Sequence, residues 1–187
     1  MTPPPHDDRR EGRYSAAARL LHWLTALLIA VQIPVGIVMS YRGNVLDLWN
    51  RTTDLLYSSH KSLGFILLVL VLIRLLARAI VRPPPPESGL PRWQMRAAAA
   101  SHAGLYLLLV AVPMLGWFGV SLFPALEVFG VIALPAITGP DRAASDTVFS
   151  LHAAAAFVLL ALVALHVAAA LYHHLIRRDG VLRRMWG

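Results

Sequence analysis

The sequence predicts an all-α fold, a four-helix transmembrane bundle with both termini in the cytoplasm, and three observations predict it. The chain of 187 residues is 57% hydrophobic and only 14% charged, where a soluble domain carries about 25% charged residues. Several apolar runs approach or exceed the roughly 18 residues needed to cross a hydrocarbon core. The basic residues are grouped. Arg9, Arg10, Arg13 and Arg19 lead into the first run, Arg74, Arg78, Arg82, Arg92 and Arg96 surround the second connection, and Arg177, Arg178, Arg183 and Arg184 follow the fourth run. Arg42, Arg51, Lys61 and Arg142 lie in or beside the two remaining connections. This alternation is the positive-inside pattern; it places both termini on the cytoplasmic side and calls for an even number of spans.

Each element follows in order. Residues 1–13 are polar and proline-rich, the composition of a disordered tail, and residues 14–187 form one domain. The first helix is expected over about 15–41 with Pro34 inside it, and its apolar run is too long for a signal-peptide core, so it reads as a retained span. Arg42 to Ser59 reads as a polar loop. The second helix is expected over about 59–81, stopped by the run Pro83 to Pro86, and the third over about 94–121. Phe123 to Pro140 is apolar but interrupted by Pro124, Gly130, Pro135 and Gly139, which reads as a cap on the outer surface. The fourth helix is expected over about 146–177, followed by a short basic tail.

The formal charge of +7 does not point to nucleic acid, because it sits where anionic lipid headgroups lie. The chain has no cysteine, which removes disulfides, iron–sulfur clusters and covalent haem attachment.

The chemistry lies in the histidines. His152 and His166 are fourteen residues apart, about 21 Å along one helix, and fourteen steps of 100° fall about 40° short of four turns, so both point the same way. In the alternating topology His22 falls at the depth of His166, and His60 at the depth of His152. Paired imidazoles on facing helices are what a low-spin haem requires, so the four residues read as axial ligands and metal-binding groups for two haem b. Histidines resting at the headgroup layer are the alternative, but ionisable groups inside a span are costly and functional by default. Zinc is disfavoured, since it wants three or four close ligands.

Other residues leave two readings open. Gly36, fourteen after His22, either leaves room for a porphyrin or serves close helix packing. Arg74, fourteen after His60, either neutralises a propionate or snorkels toward the helix end. Lys61, with Arg51, either serves the outer haem and attracts an anion or is simply an exposed charge. His102, with Tyr106 one turn on, donates to a quinone or makes an interhelical hydrogen bond. His173, beside His174, contacts a quinone or delivers protons, or rests at the interface.

The segments Arg19-Leu-Leu-His22-Trp23, His60-Lys-Ser-Leu-Gly64, His102-Ala-Gly-Leu-Tyr106 and His173-His-Leu-Ile-Arg-Arg-Asp-Gly-Val-Leu-Arg-Arg-Met185 resemble the bacterial cytochrome b-561 family over about residues 12–187. More distantly, the chain is similar to the cytochrome b subunits of hydrogenases. The resemblance implies a four-helix bundle of the bacterial inner membrane with two b haems, ligated by His22 with His166 and by His60 with His152. It also implies oxidation of superoxide on the periplasmic side and ubiquinone as acceptor. The expected partners are therefore the lipid bilayer, ubiquinone, and superoxide or another periplasmic electron donor, and the expected activity is that of a superoxide oxidase. The alternative is a membrane anchor and electron-transfer subunit for a periplasmic dehydrogenase or hydrogenase.

Overall fold

The structure, a computed structural model, describes residues 12–85, 87 and 89–186. The tail expected over 1–13 lies, up to residue 11, outside them. Helix α1 spans Ala16–Ser40. Its start is set by Ser15, whose hydroxyl accepts the Ala18 N–H at 3.2 Å and satisfies one of the free amides of the first turn. It continues into a π-helical turn, Tyr41–Val45.

Helix α2 spans Arg51–Ile80, so the loop expected over Arg42 to Ser59 is in its second half helical. Asn50 is the reason. Its side chain accepts the Thr53 N–H at 3.2 Å and starts the helix about two turns before Ser59. The Arg42 guanidinium holds Asn50 and the buried Thr53 hydroxyl, each at 3.2 Å. Helix α3 spans Arg92–Leu122 behind Pro91. Helix α4 spans Arg142–Tyr172, capped by Asp141 on the Ala144 N–H at 3.0 Å, and passes into a second π-helical turn, His173–Arg177. A short α5, Arg183–Trp186, follows.

The segment 123–140 is more ordered than a plain cap. It holds a two-stranded antiparallel hairpin, β1 (Glu127–Val128) and β2 (Ile132–Ala133), with Val128 opposite Ile132. Three residues, Phe129 to Val131, join them; the Val131 N–H donates to the Val128 carbonyl at 3.2 Å, and the two residues inside that turn, Phe129 and Gly130, have positive φ, 56° and 67°, the backbone of a type I′ turn.

Four continuous helical stretches of 30, 30, 31 and 36 residues are long and apolar enough to cross a membrane. The chain's described start and end lie at one end of the bundle, where the Tyr14 N–H donates to the Arg184 carbonyl at 3.3 Å. The Trp23 indole donates to the Met185 carbonyl at 3.0 Å, its ring 5.0 Å from Trp186. The hairpin marks the other end. Helix packing is close between α1 and α2, α2 and α3, and α3 and α4. The core is small: Ile29, Leu67, Val71, Leu109, Val112 and Leu159, drawn from all four helices, while residues such as Leu27, Leu76, Leu107 and Leu165 face outward.

In lipid, helices associate by packing and not by escape from water, so the few interior contacts matter and the outward ones do not. Leu67→Ala is expected to cost roughly 2–5 kcal/mol in a reversible unfolding titration in mixed micelles. Leu107→Ala on the lipid face is expected to leave the midpoint almost unmoved. Equal losses would show that the interior cluster is not what holds the bundle.

Candidate functional site

Six layered residues, four histidines in two facing pairs and two glycines, build the site. At the hairpin end His60 of α2 faces His152 of α4, ring centroids 6.0 Å apart and planes at 87°. At the terminal end His22 of α1 faces His166 of α4, centroids 6.2 Å apart and planes at 62°. Neither α2–α4 nor α1–α4 is among the close helix packings; the imidazoles reach across the two interfaces where the helices stand apart.

The rings are held from behind. His152 Nδ1 lies 2.9 Å from the Val112 carbonyl oxygen. A carbonyl only accepts, so Nδ1 carries the proton and Nε2 is left as the basic nitrogen. A second-shell carbonyl on the far nitrogen is what orients a metal-ligating histidine. A Cβ on Gly116 would lie 3.2 Å from the His152 ring, and one on Gly36 only 2.8 Å from the His60 ring. Both glycines are thus cradles for imidazoles. The His60 carbonyl accepts the Gln32 amide at 2.7 Å, and Gly64 makes room for that amide, since a Cβ there would come within 3.1 Å of it. His60 Nδ1 is buried and has no hydrogen-bond partner among the described residues.

The terminal end carries more charge. The Arg74 guanidinium lies 2.9 Å from His22 Nδ1. A guanidinium only donates, so this nitrogen accepts and the His22 proton is on Nε2, the opposite tautomer to His152. Arg74 also lies over the Tyr106 ring, 5.3 Å from its centroid, with Arg78 at 5.7 Å. Arg74 therefore turns into the bundle instead of snorkelling out of it. His102 of α3, which depth alone left without a partner, has its ring 5.5 Å from that of His166.

The remaining sequence-derived residues divide. Lys61 follows His60, but its ammonium is engaged, donating to the Ala125 carbonyl at 2.9 Å and to the Glu127 carbonyl. Arg51 stands exposed at the first residue of α2. His173 is apart from both pairs: its Nδ1 lies 2.6 Å from Asp179 Oδ2, with Arg177 Nε at 3.5 Å from the same oxygen. Burial alone would raise the Asp179 pKa, but hydrogen bonds from His173 and the Val181 N–H, with the Arg177 charge, leave it below the ordinary value. His174 lines a cleft of 290 Å³ with Leu182, Arg183 and Trp186. Gly116 and Gln32 were missed in the sequence. Gly116 had a signal, since it follows His102 by the same fourteen residues that separate Gly36 from His22. Gln32 had none.

The fit to an iron porphyrin is good in three respects. Two metal–imidazole bonds of about 2 Å plus the half-widths of two rings sum to about 6 Å, matching both centroid separations. The pairs lie across the looser interfaces, and glycines let the His60 and His152 rings lie back against the neighbouring helices. Among the described residues no group of three or more His, Cys, Asp or Glu is placed to hold a bare metal ion.

Residues 13–187 match the family model described as prokaryotic cytochrome b561. The chain belongs to that family. Cytochrome b561 homolog 2 of Escherichia coli (strain K12) is 31% identical over 176 residues, covering 94% of this chain and 92% of its own. Cytochrome b561 homolog 1 of the same organism is 30% identical over 186 residues, covering 92% and 96%. The probable superoxide oxidase CybB of Yersinia pestis is 26% identical over 186 residues, covering 92% and 95%. A cytochrome b561 with four membrane-length helices is a multi-pass bacterial membrane protein that binds haem b and transfers electrons.

The glycine cradles carry a direct test. Gly36→Ala brings a methyl group within 2.8 Å of the His60 ring, although alanine favours the helix itself by about 1 kcal/mol. The expected result is a loss of haem absorbance per chain with helix content kept by circular dichroism. Gly139→Ala, where a Cβ meets nothing within 4 Å, is expected to leave the spectrum unchanged.

Proposed function

We propose that the chain is a di-haem cytochrome of the bacterial inner membrane that oxidises superoxide on the periplasmic side and reduces ubiquinone. The observation that carries the proposal is the pair of facing imidazoles at each end of the bundle, 6.0 and 6.2 Å apart. They are joined by one helix through His152 and His166. His60 with His152 would hold the outer haem and His22 with His166 the inner one. Haem iron between two neutral imidazoles supplies one-electron exchange. The balance is two superoxide ions giving two dioxygen molecules and two electrons, and one ubiquinone taking two electrons and two protons.

The chain's residues do the rest. Val112 fixes the His152 tautomer, and Gly36 and Gly116 keep the outer rings in place. At the inner level ligation through His22 Nε2 needs the other tautomer, so Arg74 must leave Nδ1. Its guanidinium is then the nearest cation for a propionate. His102 and His173 are assigned to the quinone side, as donors of a hydrogen bond or a proton. With both termini cytoplasmic, the hairpin end faces the periplasm. There Lys61 adjoins His60 with its ammonium tied to carbonyls, and Arg51 adds an exposed charge. Local positive charge of this kind draws a small anion inward. The name of the Yersinia relative, a probable superoxide oxidase, supports this donor.

A pyridine haemochrome assay is expected to give two b haems per chain, and His152→Ala or His166→Ala each to remove one of them, the outer and the inner respectively. A single haem in the unaltered protein would end the two-site reading.

In anaerobic stopped-flow mixing, superoxide is expected to reduce the haems faster than it disproportionates, and ubiquinone to reoxidise them. The rate is expected to fall as salt screens the approach and in Arg51→Glu, which leaves the contacts of Lys61 with the 123–140 segment intact, with haem content unchanged. Superoxide inert toward the haems, together with a co-purifying dehydrogenase or hydrogenase, would install the anchor-subunit reading in its place.

A further inference from the structure

We infer that Lys61 is a positioning residue that straps the 123–140 segment across the His60–His152 level, and that this closed cap admits only small electron donors. The inference rests on the reading above, in which electrons enter at that level, and deepens it by naming the class of donor.

The segment is fastened on α2 beside His60 and on α3 beside Gly116, the glycine that cradles His152. On α2, His60 lies between Ser58 and Lys61. The Ser58 hydroxyl accepts the Phe129 N–H at 3.1 Å, and the Lys61 ammonium binds the carbonyls of Ala125 and Glu127. On α3, the residue after Gly116, the His152 cradle, is Trp117, whose indole donates to the Pro135 carbonyl at 2.8 Å. One turn on, Ser121 accepts the Ile137 N–H at 3.3 Å. Every one of these contacts uses the backbone of the cap and a side chain of a span, so together they fix its path and not merely its proximity. Val128 of the segment turns inward, at 5% exposure, while its Phe129 and Val131 are exposed.

Lys61 is the strongest of the fasteners. Hydrogen bonds from a charged donor are roughly twice as strong as neutral ones, and this donor engages two carbonyls of one loop. The cap also holds strain against the fastening. Phe129, a bulky residue, sits at φ 56°, a conformation that persists only where its surroundings over-determine it. Its own N–H is the group held by Ser58. Cutting either fastener therefore frees a segment that is not at rest when closed.

The test separates size from charge. Lys61→Met removes the main strap, and Ser58→Ala removes a neutral one without altering the field. Trp117→Phe keeps the ring that packs on Phe65 at 5.3 Å but loses the indole N–H, and it serves if Lys61→Met fails to fold. The protein with its haems is reduced by methyl viologen radical, either free or linked to a dextran of protein size. Hydrogen exchange of the cap amides is followed in the same samples. The unaltered protein is expected to discriminate against the dextran-linked reductant. The variants are expected to narrow that ratio, with amide exchange at Phe129 about tenfold faster, as loss of one fastening hydrogen bond implies. Cap amides unchanged in all variants would overturn the strap. Faster exchange with an unchanged size ratio, or no discrimination in the unaltered protein, would overturn the filter. Superoxide failing to reduce the haems while the viologen ratio behaves as expected would remove the donor proposed above and leave the cap standing.

Discussion

A seven-residue step organises this bundle. Seven residues are just under two turns, so side chains at that interval stay on one face while drifting by about 20°. Each helix takes the step twice: His22, Ile29 and Gly36 on α1; His60, Leu67 and Arg74 on α2; His102, Leu109 and Gly116 on α3; His152, Leu159 and His166 on α4. All four middle residues belong to the interior cluster. The molecule is therefore three layers deep, with an apolar plug between two imidazole levels. Depth, and not sequence neighbourhood, decides which residues meet. The antiparallel order of the helices alone brings His22 to His166 and His60 to His152. The glycines fall where a side chain on the same face would collide with a ring, as the short Cβ approaches at Gly36 and Gly116 show.

The two levels share this geometry but differ in charge. Around the His60–His152 level the groups against the rings are neutral, a carbonyl from Val112 and two glycines, and the one cation beside them, Lys61, is tied to carbonyls of the 123–140 segment. Around the His22–His166 level lie Arg74, Arg78, His102 and Tyr106. A fixed positive charge in a medium of low dielectric lowers the energy of any negative charge placed beside it, whether a carboxylate or an added electron. Movement of an electron from the hairpin end to the terminal end, as proposed above, would thus be movement toward the larger group of cations. The difference is built from residues on α2 and α3, while the imidazole that both levels share in kind comes from α4.

Much of this was legible in the sequence because a membrane simplifies the problem. Helices must satisfy their own backbone in hydrocarbon, so the length and apolarity of the runs locate them, and antiparallel order follows from the charge of the connections. Imidazole depth then follows by counting. What resisted reading depends on contacts between distant polar groups. The start of α2 was hidden because Arg51 to Ser59 is polar, and only the Asn50 cap with Arg42 behind it makes it helical. The hairpin at 127–133 is too short to show a strand period. The tie from Lys61 to Ala125 and Glu127 joins residues more than sixty apart, and no local pattern announces it. His102 was placed at the right depth but without its neighbour, because depth says nothing about which of four helices is nearest.

The packing of α4 links structure to cofactor. It lies closely against α3, but toward α1 and α2 the helices stand apart, and the facing imidazoles are what bridge those intervals. In a bilayer no hydrophobic force closes such an interval, because lipid tails are as apolar as the side chains that would fill it. The association of α4 with the first two helices therefore rests on the apolar layer of Ile29, Leu67 and Leu159, and would rest also on haem held between the imidazole pairs. A ligand that binds only the assembled bundle stabilises it in proportion to the logarithm of its occupancy. The residues proposed above to hold the haems would then carry part of the fold as well. That is also why the glycines matter on both counts: a methyl group at Gly36 displaces a ring, and a displaced ring removes a bridge between α2 and α4.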